Sequence, residues 1–351
     1  MGSFTTTPKI LNEDMQDNDI DIPLSCTKDL LLKICNQNLH GKPSILHRKF
    51  KYTDANTKYF YPTAPNNTMV RIMQWNILAQ ALGEHNDSFV ACPLEALDWK
   101  YRRFRLLQEL VKYEADIFCL QEVDHFMFFQ TTLGAIGYKG IFFPKPDSPC
   151  LYVPRNNGAD GCAIFYNSRI FDVVRVETRV LEVWSVQSNQ VAILVILRVR
   201  STGQSFCVVT THLKARQGSI LSTLRNEQGK DLLQFVRVNC SQDMPIFVCG
   251  DFNAEPNEPV YSAMTNCGKD FVGFKSAYKT MYGEEPDYTT WKIREEGEIC
   301  HTIDYIFFSS QHCSPESVLL LPSGDDIGVG RIPSLEYPSD HFSLICDFSF
   351  L

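Results

Sequence analysis

The sequence predicts an α/β fold in which two β-sheets pack face to face and helices cover their outer faces. Three observations carry this. Short, apolar, β-branched runs of strand length recur between residues 69 and 351, and several of them read as buried strands. Two longer stretches between them, Trp99–Tyr113 and Leu224–Val238, instead place apolar residues at helical spacing. Finally, the order strand, helix, strand ending in a carboxylate occurs twice. So many strands call for two sheets, with the helices outside.

Taken in chain order, residues 1–68 are expected to be a flexible leader, with a short helix over Leu30–Cys35, and residues 69–351 one folded domain. The domain opens with a strand at Met69–Ile77. Trp99–Tyr113 is a helix because Phe104, Leu107, Leu110 and Val111 form one stripe. Ile117–Val123 is a strand, followed by strands at Gly161–Tyr166, Val173–Val180, Val191–Val199 and Phe206–Leu213. Leu224–Val238 is a helix with Leu224, Leu232, Phe235 and Val236 on its apolar face. Strands at Pro245–Cys249, Thr302–Phe308, Val318–Leu321 and Phe342–Phe348 complete the domain.

Composition narrows the function classes. In 351 residues, 44% hydrophobic and 21% charged residues exclude bulk disorder. No apolar run approaches the roughly 18 residues that span a bilayer, so no membrane insertion is expected. A net charge of −8 argues against holding nucleic acid on a broad basic surface. Any anionic substrate must therefore meet a local cluster of cations. The thirteen cysteines include no C-x-x-C pair, and several lie inside strand-like runs as small buried hydrophobes. That usage suits a reducing, cytoplasmic setting and excludes finger-type zinc. The first 25 residues hold five acids and one Lys, which is neither a transit nor a signal peptide. A mitochondrial location would need another start site. Met1-Gly2-Ser3-Phe4-Thr5-Thr6 matches the bare pattern for N-myristoylation at Gly2.

The repeated unit points to a site. Asn76 and His212 end the first strand of each copy, and Glu122 and Asp251 end the second. Polar groups at the carboxyl ends of neighbouring buried strands converge on one rim, where α/β folds hold ligands. Asn253, Asp304, Asp340 and His341 join them from later segments. A hard cation such as Mg²⁺ needs only one or two carboxylates because it keeps several waters, and Glu122 is the best-placed ligand. Asp251 and Asn253 lie two apart, so an extended chain aims both to one side. A carboxylate to take a proton from water, beside an amide to donate to a phosphoryl oxygen, suits hydrolysis. An Asp paired with a His fixes the imidazole and favours its cation.

These residues stand in sequence blocks. Gln74-Trp75-Asn76-Ile77-Leu78, Leu120-Gln121-Glu122-Val123-Asp124, Gly250-Asp251-Phe252-Asn253, His301-Thr302-Ile303-Asp304-Tyr305 and Tyr337-Pro338-Ser339-Asp340-His341 resemble, in order, the signature blocks of the exonuclease–endonuclease–phosphatase superfamily. The resemblance spans residues 68–351 and shows no departure at these positions. It implies a two-sheet α/β sandwich and Mg²⁺-dependent phosphoester hydrolysis, making 69–351 a catalytic phosphoesterase domain. By the same resemblance, Glu122 holds the metal, with Asn76 close to it and to the phosphate, and Asp340 lies near the metal's water shell. Asp251 orients or deprotonates the attacking water, and Asn253 binds the phosphoryl oxygen. His341, paired with Asp304, stabilises transition-state charge, and His212 contacts the same phosphate.

Within the superfamily the chain most resembles the branch related to the deadenylases. Lys145, Lys214, Arg216, Lys292 and Arg294 sit in loops near the rim blocks. Several Lys and Arg at one pocket suit a compact multi-phosphate ligand. The branch resemblance implies a monomer that removes the 2′-phosphate of NADP⁺ and NADPH to give NAD⁺ and NADH. NADP(H) is then substrate and not cofactor, and no G-x-G-x-x-G follows a strand. The alternative is a 3′–5′ exoribonuclease acting on poly(A). Against it stand the lack of a leucine-rich repeat period and of any Lys/Arg-rich tract. Phe143 or Trp291 is available to stack an adenine in either case. A third class is a binding protein that recruits RNA or regulatory partners through residues 1–68.

Overall fold

Apolar side chains at every second position give each strand two faces, and here both faces are covered. In the computed structural model, which describes residues 22–23, 26–53, 68–85, 87–154, 156–241, 243–266 and 273–351, the strands form two large sheets. The first contains β1 (Phe50–Tyr52), β2 (Met69–Asn76), β3 (Ile117–Val123), β4 (Tyr138–Pro144), β5 (Gly161–Asn167), β14 (Cys313–Leu319) and β15 (Leu344–Phe350). Their spatial order is β1-β14-β15-β2-β3-β5-β4. The second contains β6 (Phe171–Val183), β7 (Val186–Val199), β8 (Ser205–His212), β9 (Ile246–Asp251), β10 (Lys275–Ser276) and β13 (Asp304–Phe308), in the order β10-β13-β9-β8-β7-β6. A separate hairpin pairs β11 (Thr290–Arg294) with β12 (Gly297–His301). The helices are α1 (Lys28–Asn38), α2 (Gln80–His85), α3 (Leu94–Leu97), α4 (Trp99–Lys112), α5 (Phe126–Ala135), α6 (Ser219–Asn239), α7 (Pro259–Thr265), α8 (Ala277–Tyr282) and α9 (Gly324–Ile327).

The expected sandwich is therefore observed. Val70, Ile72, Ile117 and Cys119 of the first sheet meet Val191, Val195, Phe206, Val208 and Phe247 of the second in a core between the sheets. Met73, Trp75, Phe118 and Leu120 alternate to the opposite face, where Leu106, Leu107 and Leu110 of α4 cover them. On the second sheet Cys207, Val209 and Val248 face Leu232, Phe235 and Val236 of α6. Both halves of the repeated unit are parallel pairs: β2 with β3 across α4, and β8 with β9 across α6. One unit lies in each sheet.

The leader expectation needs correction. Within residues 1–68, Leu31, Cys35, Leu39 and Leu46 are buried in the core beneath α4, and β1 extends the first sheet by pairing with β14. Arg48 is buried against Glu109 of α4 and donates to Ser343 Oγ at 2.8 Å. Their chemistry explains this: Leu30–Cys35 carries enough apolar surface to cover a helix. The Gly2 myristoylation pattern and the acidic run Glu13–Asp21 lie outside the described residues. The missed elements are short or only half-buried: β4 is interrupted by Gly140, and β11 and β12 carry charges on edges that a period-two search discounts. Among the described residues no helix is long and apolar enough to cross a membrane.

Candidate active site

Strand alternation and register build the site before any long-range contact is considered. Along β8 the positions facing the other sheet run Phe206, Val208, Thr210, His212, and along β9 they run Phe247, Cys249, Asp251. They turn from apolar to polar at one end. In register, His212 lies opposite Asp251 across the β8–β9 pair, and Asp304 lies opposite Asp251 across the β9–β13 pair. Three titratable side chains thus stand abreast on one sheet. Gly250, one residue before, faces Thr211, whose carbonyl oxygen lies 2.5 Å from where a Cβ would sit. Any side chain there would force β8 and β9 apart beside the Asp.

The other sheet supplies the amide and the acid. Asn76 ends β2, and its Nδ2 donates to Glu122 Oε1 and to Asp251 Oδ2, both at 3.0 Å. Period two alone would aim Glu122 to the outer face with Leu120. Instead the β3–β5 register shifts between Leu120 and Val123, and Glu122 adopts φ +55°. This bulge re-aims the carboxylate toward the rim, where Ala79 N also donates to it at 3.1 Å.

His341 arrives from the segment before β15, bridged to Thr290 of the hairpin. Its Nδ1 shares a 2.9 Å bond with Asp304 Oδ2, and its Nε2 lies 3.8 Å from Asp251 Oδ2. Burial works against a charged imidazole, but Asp304, Asp340 and Asp251 outweigh it and lift its pKa to about 9. Burial and the charge of Asp304 push Asp251 up to about 7. His212 goes the other way: burial, then Lys145 and His341, hold it well below the usual imidazole value, and its Nδ1 is buried without a hydrogen-bond partner among the described residues. The arrangement holds one cationic and one neutral imidazole on either side of an easily protonated carboxylate. Asn253, at φ +50°, donates its backbone N–H to Asp251 Oδ1 at 2.9 Å, while its side-chain amide binds Leu213 O at 3.1 Å.

The five expected cations divide. Lys145 is buried with its Nζ 2.6 Å from Asp160 Oδ2. Lys292 is bonded to Asp340, and Arg294 Nη2 reaches both Asp87 at 2.6 Å and Asp340 at 3.7 Å. Those cations hold the Asp340 carboxyl well below the carboxylate range despite burial, which opposes it. Lys214 and Arg216 are exposed, and their side chains make no hydrogen bond or ion pair among the described residues. Of the stacking candidates, Phe143 packs against the core between the sheets. One face of Trp291 is covered by Arg331, 3.8 Å from the ring centroid.

Sequence reasoning missed the residues that hold this geometry. Thr289 donates to Asp304 Oδ2 at 2.7 Å and accepts from the amides of Ile303 and Asp304. Gln74 and Gln121 bond each other side chain to side chain at 2.7 and 2.8 Å between the sheets, and Gln74 reaches Asp304 Oδ1 at 3.3 Å. Arg102 of α4, 1% exposed, donates to the carbonyls of Ile77, Leu78 and Pro338. Buried Gln inside an apolar strand run was the available signal. Asp251, Asp304 and His341 bring one potential metal-ligating atom each within 4.8 Å of one another.

The endonuclease/exonuclease/phosphatase family model matches residues 73–341, which takes in every rim residue above. The chain belongs to the endonuclease/exonuclease/phosphatase family. Among curated family members it is 48% identical to Nocturnin of Drosophila melanogaster over its whole length, spanning 60% of that protein, and 46% identical to human Nocturnin over 91% of this chain and 73% of that one. The solved human Nocturnin catalytic domain is 40% identical, with a TM-score of 0.71, covering 89% of this chain and all of that domain. A family relationship to a fungal 3′–5′-exoribonuclease subunit, Ccr4 of Yarrowia lipolytica, is more distant at 28% identity over 74% of this chain. The family takes in endonucleases, exonucleases and phosphatases, and the resemblance read from the sequence blocks is borne out.

Proposed function

We propose that the chain is a Mg²⁺-dependent phosphatase that removes the 2′-phosphate of NADP⁺ and NADPH. The observation that carries the proposal is the compactness of the charged rim. Lys145 and Lys292 are both below 10% exposed, each in an ion pair, and His341, its pKa raised, lies 3.8 Å from Asp251 and 3.9 Å from the Asp340 that Lys292 holds. Such a site suits a small dianionic group better than an extended strand, which asks for a basic track and serial stacking platforms. The human Nocturnin domain that this chain is similar to was solved with a sulfate anion bound, a tetrahedral ligand of comparable charge.

Oxygen donors fit a hard cation. Glu122 is half-buried, and among the described residues each of its two oxygens accepts one N–H bond, which leaves acceptor capacity for a cation. Glu122 would hold the Mg²⁺, with Asp340 contributing through its water shell. When bound, the ion would neutralise charge on the phosphoryl oxygens. The chain's own residues supply the rest. Asp251, poised near neutrality, takes a proton from the attacking water, and Asn76 orients its carboxylate. Asn253 and His212 contact phosphoryl oxygens, and the His341 cation, held by Asp304, stabilises charge developing in the transition state. Lys214 and Arg216 carry free charges for the remaining phosphates.

Purified protein with Mg²⁺ is offered NADP⁺, NADPH, coenzyme A, inositol polyphosphates and oligo(A) in parallel. Inorganic phosphate released from NADP⁺ and NADPH supports the proposal. AMP released from oligo(A) alone replaces it with the exoribonuclease reading, and no attack on any of these compounds refutes both.

A further inference from the structure

A second reactive site lies away from the rim, on the outer face of the second sheet. Alternation along β8 turns Phe206 and Val208 inward and Cys207 outward, beneath α6. Cys240 is the residue that ends α6, its backbone N–H donating to Val236 O at 2.9 Å. Its side chain packs into the same cluster that buries Cys207. Within that cluster the two thiols are near enough for each to perturb the other's ionisation. Both are free cysteines, Cys207 fully buried and Cys240 partly exposed.

A cation is fixed beside them. Arg175 of β6 donates from Nη2 to the backbone carbonyl and to Oδ1 of Asn239, each at 2.7 Å, so its guanidinium stays next to the end of α6. The neighbouring Cys207 thiol lowers the pKa of Cys240, partial burial opposes this, and Arg175 adds to the lowering. The other described thiols lack this combination. Cys119 also neighbours Cys249, but both are sealed between the sheets, and burial holds Cys119 far above the usual value. Cys300 is exposed, yet partial burial and Glu298 raise it. Cys92 is pushed up to about 12 by burial. An accessible, activated thiol beside a second thiol is the arrangement that oxidants attack selectively.

We propose that Cys240 and Cys207 form an oxidant-sensitive dithiol site, which a hydroperoxide converts to a disulfide. The Cys240 thiolate attacks one peroxide oxygen, forming an S–O bond as the O–O bond breaks. Sulfur loses two electrons, and the displaced hydroxide takes up a proton and leaves as water. The Cys207 sulfur then attacks Cys240, forming the S–S bond as the S–O bond breaks, and the Cys207 proton leaves with the second hydroxide. Overall, two thiols and one peroxide give one disulfide and two waters. The site is independent of whatever substrate the rim accepts.

The test uses the full chain and hydrogen peroxide, followed by blocking of remaining thiols and peptide mass spectrometry without reduction. The expected product in the unaltered chain is a Cys207–Cys240 cross-linked peptide pair. Cys207→Ala should stop the reaction at a Cys240 sulfenic acid, trapped by dimedone, and Cys240→Ser should abolish the cross-link. In the absence of peroxide, iodoacetamide should label Cys240 at least about threefold faster than Cys300, since a lower thiol pKa raises the thiolate fraction more than it lowers nucleophilicity. Oxidation of Cys300 or Cys92 with Cys240 intact overturns the proposal, as does a Cys240 sulfenic acid in the unaltered chain that never links to Cys207. The measurements on the unaltered chain and on Cys240→Ser, a change at a helix end, decide the matter even if Cys207→Ala folds poorly.

Discussion

At the residue scale, the site turns on an unfavourable register. Asp251 and Asp304 face each other directly across β9 and β13, and like charges in that position repel. His341 relieves the conflict by bonding Asp304 and standing over Asp251, so its cation belongs to the structure as much as to the chemistry. Glu122→Ala and His341→Ala should each reduce turnover by at least about a hundredfold while leaving the circular dichroism spectrum unchanged. Full activity in either variant would remove that residue from the mechanism. The pH profile gives a sharper check. With a pKa of about 9, His341 stays charged through neutrality, and activity should fall as pH rises through that value. Asp304 is the largest of the charges holding it up, so Asp304→Asn should move the alkaline limb of kcat/KM to lower pH. An unmoved limb would assign the titration to another group. The same pair ties stability to pH. Because the folded pKa is raised, this contribution is fully present below about 6.5, the free imidazole value, and is lost as pH climbs toward 9.

At the element scale, the parts of the site that sequence makes legible are those set by periodicity. Asn76, His212, Asp251 and Asp304 could be read because each ends or begins a strand whose other inward positions are apolar, apart from Gln74 and Thr210 next to the site. Pairing Asp304 with His341 came from the resemblance of the blocks, since Asp304 begins β13, His341 lies in the segment before β15, and only the closed sandwich brings them together. What stayed illegible depends on departures from periodicity or on polar groups inside apolar elements. The bulge that re-aims Glu122 has no local sequence mark, and Arg102 on α4 reads as a solvated charge until its carbonyl partners are seen. Lys145, Lys292 and Arg294 were legible as cations near the rim, but Lys292 and Arg294 lie on β11 and not in a loop, and the ion pairs were not legible because Asp160, Asp340 and Asp87 meet these cations only through tertiary packing. Arg102 gives the element-scale prediction. It ties α4 to the segment after β2 and to the segment carrying His341, through Ile77, Leu78 and Pro338. Arg102→Ala leaves those buried acceptors unpaired at about 1–3 kcal/mol each. Its urea midpoint should fall clearly, and kcat should fall with it even at temperatures where the variant is folded. A variant as stable and active as the parent would show that water replaces the guanidinium.

At the scale of the whole molecule, the segment before residue 69 decides how much chain the sandwich needs. Its amino-terminal charge segregation reads as a leader, and that reading fails over residues 26–53 because two local features point inward. The apolar side of α1 covers α4 through Leu31 and Cys35, and Arg48 Nη1 lies 3.3 Å from Oε1 of Glu109, a carboxylate whose Oε2 accepts no hydrogen bond among the described residues. Glu109 in turn accepts from Tyr337 and Ser343, which flank the segment carrying Asp340 and His341. A chain beginning at Thr68 therefore loses the cover of α4 and leaves a carboxylate buried without its cation. Breaking a buried ion pair by removing one partner costs about 3–5 kcal/mol, a large share of the roughly 5–15 kcal/mol that holds a domain folded. The 68–351 chain should be insoluble or unfold at a markedly lower urea concentration, whereas a 22–351 chain, which keeps Ile22 against the core, should match the full protein in stability and activity. Arg48→Met in the full chain separates the two contributions, since it removes the cation and keeps the cover. If it costs as much as the truncation, the ion pair dominates. If 68–351 proves as stable as the full chain, α1 and β1 are accessory, and the domain begins where periodicity alone would start it.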